Sequence, residues 1–232
     1  MAKASRRVAG GRFRNLKQLS RKGPSVKAGK RLLIVCEGSK TEPAYFKAMR
    51  KDLGLTGTDV RVCGEECGTD PISVLEFALE LWSEDRGFDE IYCVFDKEGT
   101  PERKLKYDQA CERIKNKDLG KNTKIVAIRS VPCFEYWYIL HFNYHDAPFS
   151  GAGKKSAGDM VVDMLKRKIP RYEKSDDSVY DLIKDDYKKA RKAAIRSQAA
   201  ADAAQTDNPT TNVHLLVHSL RVMGGVEEEE TV

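Results

Sequence analysis

The sequence predicts an α/β fold: a largely parallel, four-stranded sheet flanked by helices, with a helical C-terminal extension. Three observations carry that prediction. Short, continuous apolar runs of the kind that form buried strands recur up to residue 130. Segments with apolar residues at helical spacing separate them. Beyond residue 146 the strand-like runs stop and helical patterning takes over. Strands that alternate with helices favour a parallel sheet covered on both faces. The 232 residues allow one sizeable domain, or a domain with an appended lobe.

RLLIVCE (31–37) reads as the first buried strand. Thr41 is a candidate cap for the helix that follows, because its hydroxyl can accept from a free backbone N–H, and Pro43 is tolerated in a first turn. That helix runs through AYFKAMRKDL to Gly54. VRVC (60–63) is the second strand, and Asp70-Pro71 opens the helix ISVLEFALELW. DEIYCVFDKE (89–98) is the third strand, apolar until Asp96; a charged helical segment over 103–117 follows. KIVAIRS (124–130) is the fourth strand, ended by Pro132, and CFEYWYILHFNY (133–144) is a mostly buried helix. APFSGAGKKSAG (147–158) is a polar loop. Helices are expected over 156–168, 178–204 and from Asn208-Pro209 to about Met223. The domain reading is an arm over 1–30, an α/β unit over 31–146, a helical extension over 147–225 and an acidic tail over 226–232.

Charge is unevenly spread. The net charge is +6, yet residues 1–30 hold ten Lys and Arg and no acid, so the remainder is mildly acidic. A basic arm of this kind is either a solubilising, disordered tail or a segment drawn to phosphate backbones. No apolar run is long enough to span a bilayer, and the basic N-terminus has no apolar core of a secretory signal. The expectation is a cytoplasmic protein. Six cysteines are expected as free thiols, with Cys36 and Cys93 acting as small hydrophobes in strands. Cys63 and Cys67 have a spacing that zinc sites use, but no second ligand pair lies near them in sequence.

Two predicted strands end in acids. Open parallel sheets place their ligand site outside the carboxyl ends of the strands. The first strand ends at Glu37 and the third at Asp96-Lys97-Glu98. Residues two apart on an extended segment point to the same side, so Asp96 and Glu98 can face one place while Lys97 points away. If the two strands are neighbours, three carboxylates converge. Such a group repels itself and gains from a divalent cation, and hard oxygen donors suit Mg²⁺ or Mn²⁺. The bland reading of any single one of these acids is a polar strand end meeting solvent.

The pattern resembles the Toprim domain, a Rossmann-like α/β fold shared by topoisomerases, primases and OLD-family nucleases. Its motifs are a Glu after the first strand and Asp-x-Asp after the third. Glu37, Asp96 and Glu98 match those positions, with Glu98 one methylene longer than the family's usual Asp. The chain more closely resembles the RloB-like family, a Toprim-like group of prokaryotic defence loci. The segments that carry this are IVCEGSKTEPAYF (34–46), DEIYCVFDKEG (89–99), PCFEYWYILHF (132–142), RYEKSDDSVYDLI (171–183) and NPTTNVHLLV (208–217). Val131 stands where the family often has Asn. The resemblance implies a metal-dependent nuclease, with Glu37, Asp96 and Glu98 as Mg²⁺ or Mn²⁺ ligands. It also implies an anti-phage role beside an AAA- or ABC-type ATPase encoded by a neighbouring gene. RNA, including tRNA, and DNA are both open as substrates, and a homo-oligomer is possible.

Other residues carry two readings each. Glu135, an acid in an apolar helix, is either a further site carboxylate or the anchor of Arg129. Lys40 either touches a substrate phosphate or is a solvated loop lysine. For Glu42, favourable placement in a first helical turn is sufficient explanation. His141 is expected to cap or pack; the pairs His141/His145 and His214/His218 lack the further ligands a zinc site needs. GAGKKS (151–156) lacks the first glycine of a phosphate-binding loop, Pro148 standing in its place. The lysines and arginines of 154–168 and 188–196 form either a second basic surface or solvated helix faces. The competing function is a non-catalytic nucleic-acid-binding or regulatory subunit that docks on the ATPase.

Overall fold

The computed structural model describes residues 29–97 and 99–228. Nearly all of the basic arm, Glu98 and the last four residues of the acidic tail lie outside the described residues. The chain runs β1 (Leu32–Cys36), α1 (Thr41–Asp52), β2 (Val60–Cys63), α2 (Pro71–Glu84), β3 (Glu90–Asp96), α3 (Pro101–Lys115), β4 (Lys124–Val131) and α4 (Glu135–Phe142). Then come α5 (Ala157–Lys166), α6 (Ser178–Ile183), a 3-10 turn (Lys184–Asp186), α7 (Tyr187–Ala203), β5 (Thr210–Thr211) and α8 (Val213–Met223).

The sheet order is β2-β1-β3-β4-β5. The first four strands pair in parallel, as the alternating pattern predicts; β5 joins β4 antiparallel through Ser130–Thr211 and Val131–Thr210. This fifth strand is a departure from the expected four, and it lies where the last helix was expected to begin. Asn212 explains it. Its side-chain amide donates to the Ala127 carbonyl at 2.9 Å and its carbonyl oxygen accepts from Arg129 N–H at 2.5 Å. The segment is thus tied to the β4 edge before α8 can start.

Alternation along β1 divides the core. Leu32, Ile34 and Cys36 face one side, under α1 and the helices from α4 onward; Leu33 and Val35 face the other, under α2 and α3. The helical extension therefore shares its apolar core with one face of the sheet. The predicted long helix over 178–204 is broken, because its two parts have different partners. α6 packs on α1, where Tyr180 and Lys184 both bond Asp52 at 2.9 and 2.7 Å, whereas α7 packs on α4. Local capping follows the sequence signals at α2, where Asp70 accepts from Ile72 and Ser73 N–H. At α1 it does not: Thr41 is the first helical residue, and no side chain among the described residues caps the helix. No helix among the described residues is long and apolar enough to cross a membrane.

Cys36 and Cys93 are fully buried, as expected of small hydrophobes. His141 packs rather than caps. It is 1% exposed, lies edge-on to Trp137 at 4.6 Å, and its Nδ1–H donates to the Trp137 carbonyl at 2.9 Å. Nε2 finds no hydrogen-bond partner among the described residues. Burial pushes its pKa down to about 4, against the opposing pull of that carbonyl. An unfolded histidine takes up a proton near pH 6.5, so between that pH and 4 the unfolded chain binds more protons than the native one. Stability from this residue is therefore present above pH 6.5 and lost as the pH falls through 4. In urea unfolding at pH 7 and pH 4.5, the stability of the wild type relative to His141→Gln should fall by on the order of 2 kcal/mol between the two pH values.

Candidate functional site

β1 and β3 are neighbours, and the chain leaves them in opposite lateral directions, β1 towards β2 and β3 towards β4. Their carboxyl ends are the switch point at which open α/β sheets form a crevice. The parallel register, Cys36 opposite Val94, is extended by Glu37 N–H donating to the Val94 carbonyl at 2.8 Å. Glu37 thus leaves the sheet with its backbone still held. Gly38, at φ +80°, then turns the chain out of the strand line. Gly64 lies close beneath: a Cβ there would meet the Gly38 carbonyl and the Pro43 ring at 2.5 Å.

Glu37 and Asp96 are brought together by this register. Asp96 N–H donates to Glu37 Oε2 at 3.2 Å, and Asp96 Oδ2 accepts from Phe134 N–H at 3.0 Å. Lys97 points away, as strand alternation requires; its ammonium bonds Asp108 and Asp207 at 3.0 and 2.8 Å. Glu98 lies outside the described residues. Glu37, Asp96, Lys40 and Glu135 all line one cavity of about 260 Å³, so four of the five residues singled out in the sequence converge.

Glu135 does not anchor Arg129. Arg129 is exposed, on a different surface, while Glu135 is 2% exposed. Glu135 Oε1 accepts from the Tyr172 hydroxyl at 2.9 Å and the Thr41 hydroxyl at 3.4 Å, and lies 3.9 Å from the Lys174 ammonium. Burial first, and the Glu135 charge second, hold the Tyr172 hydroxyl far above its usual pKa, so it remains a donor. The Thr41 hydroxyl, expected to cap α1, serves the carboxylate instead.

Two charged residues of the cavity, Arg103 and Lys174, have no site signal in the sequence. Arg103, in the first turn of α3, pairs with Glu37 Oε1 and donates to the Thr69 carbonyl at 2.7 Å. Nothing in the charged α3 pattern separates it from its solvated neighbours. Lys174 lies in a segment that carries the family resemblance without suggesting a role. Glu42 was accounted for by the helix dipole, and it is in the first turn of α1, but it is also buried and lines the cavity. Burial, then the charges of Glu135 and Glu37, push its carboxyl up to about 8.

The cavity's candidate donors are carboxylate and hydroxyl oxygens, a chemistry that suits a hard cation. Among the described residues, no group of three or more His, Cys, Asp or Glu side chains is gathered to hold a metal ion. Two carboxylates are nevertheless sufficient for Mg²⁺, which keeps several waters and is commonly bound by one or two carboxylates together with substrate phosphates. Glu37 and Asp96 fit that role.

The family model described as RloB-like protein matches residues 32–220, in agreement with the resemblance drawn from the residues. No curated protein and no solved structure matches the chain.

The Glu42 carboxyl has a measurable consequence. With a native pKa above the unfolded one, the native state holds the extra proton between about pH 4.5 and 8, so stability falls as pH rises through that window. Glu42→Gln removes the cost and should stabilise the protein by up to about 3 kcal/mol at pH 7, read from urea midpoints, with the gain vanishing below pH 4.5.

Proposed function

The chain belongs to the RloB-like family, and on that premise we propose that it is a metal-dependent phosphodiesterase that cuts nucleic acid as the effector of an anti-phage defence system. The observation that carries this reading is the link between Glu37 and Asp96 at neighbouring strand ends, inside a cavity that also presents Lys40, Arg103 and Lys174. Glu37 and Asp96 would hold Mg²⁺ or Mn²⁺, with Glu98 as the third member of the motif. When bound, such an ion polarises a phosphodiester oxygen and makes a water acidic enough to attack at neutral pH.

The chain's own residues supply binding and orientation. Lys40, Arg103 and Lys174 place positive charge around the acids and draw a phosphodiester towards them. The planar fork of Arg103, now on Glu37, matches a phosphate as well as a carboxylate, so it can hold a substrate oxygen from the same position. Glu135 acts as a positioning residue. Its bonds to Thr41 and Tyr172 fix the start of α1, and with it Lys40, against the cavity floor. RNA and DNA are both substrates of the right chemistry. An AAA- or ABC-type ATPase from a neighbouring gene is the proposed partner, in the cytoplasm.

The Glu37–Arg103 pair also favours a second reading, in which the site is neutralised internally and the chain binds nucleic acid without cutting it. Metal separates the two. Purified protein should cut labelled RNA or DNA in Mg²⁺ or Mn²⁺, EDTA should stop it, and Glu37→Ala or Asp96→Ala should reduce cutting to background with an unchanged circular dichroism spectrum. Full cutting by Glu37→Ala would sink the nuclease reading. Salt-sensitive binding that ignores metal, without cutting, is what the binding-module reading requires.

A further inference from the structure

A second hollow, of about 620 Å³, runs along α1 beside the acidic cavity, and Ser39 and Lys40 border both. Its cations follow a helical rule. Lys47 and Lys51, four apart, share one face of α1, and Lys40 stands immediately before the helix, so the three extend over roughly 16 Å of axis. All three are exposed, and among the described residues none of them is in an ion pair. This is unlike Arg50 beside them, which is spent on the Val60 carbonyl at 3.0 Å. Among the described residues Asp177 is the one acid on the wall, and the partly exposed Ala44, Ala48 and Leu55 give the groove an apolar strip.

We propose that this groove is the path by which a single strand of nucleic acid reaches the acidic cavity, its phosphates on Lys40, Lys47 and Lys51 and its unstacked bases against the apolar strip. The inference rests on the nuclease reading for the identity of the ligand. What it adds is the side of the site from which the strand enters and the form of the strand. A duplex shows a protein surface mainly its phosphates, and the apolar strip would then have no counterpart; a single strand offers charge and exposed base faces together. The 171–177 loop continues the path. Ser175 and Asp177 wall the groove while Lys174 lines the cavity, so a strand passing Lys40 meets Lys174 beyond it.

The test uses the full chain in EDTA, so that cutting plays no part. Affinities of labelled single-stranded and duplex oligonucleotides, RNA and DNA, are measured across a salt series for wild type, Lys47→Ala/Lys51→Ala and Lys188→Ala/Lys192→Ala. The arm's cations contribute equally to all three. The groove variant should bind single strands at least about tenfold more weakly, with a salt slope lower by about two, one for each lost phosphate contact. The α7 variant should bind as wild type does. If the groove variant keeps wild-type affinity and slope, the path is overturned while the nuclease reading stands. Tighter binding of duplex than of single strand overturns the form of the strand. Failure of wild type to bind any of the oligonucleotides overturns the path and the nucleic-acid reading together.

Discussion

Everything at the candidate site depends on the parallel pairing of β1 with β3. That ladder fixes Cys36 opposite Val94 and, one residue later, sets Glu37 where its carboxylate takes the Asp96 N–H. A slip of one residue would turn both acids to opposite faces. The register is protected by burial: every residue of β1 is inaccessible, with alternate side chains committed to the two cores. The apolar packing of the whole sheet thereby holds two like charges next to each other.

The helical extension completes the site rather than merely following the α/β unit. Tyr172 reaches Glu135, and Lys174 approaches the same carboxylate. Glu135 also takes the Thr41 hydroxyl at the start of α1, so one buried acid joins three segments that are distant in sequence. A buried carboxylate is tolerated only with such partners. Glu42, a neighbouring acid, is buried beside the like charges of Glu135 and Glu37 and holds its proton to about pH 8. The floor of the cavity is thus assembled at an electrostatic cost, a common feature of sites whose acids serve a ligand.

Much of the fold is legible in the residues. VRVC is β2 without adjustment, and the strand-to-helix rhythm up to residue 146 matches the observed order. The misreadings fall where tertiary partners override local preference. The helix-forming run at 178–204 breaks because α6 and α7 pack on different helices, and Thr210–Thr211 becomes a strand because Asn212 clamps it to β4. The same holds within the site. Glu37 and Asp96 announce themselves by ending apolar runs, whereas Arg103 and Lys174 sit in polar segments whose local pattern is that of any solvated stretch.

The sequence by itself determined the alternation of strands and helices, the two acids at strand ends and the membership of the RloB-like family, because each is written in residue type and short-range spacing. Only the tertiary structure decided that Glu42 is a cavity acid, that Glu135 binds Tyr172 and Thr41 instead of Arg129, and that Arg103 stands on Glu37. Those contacts join residues tens of positions apart. Burial and the sum of nearby charges, not the identity of adjacent residues, set what each of these groups does.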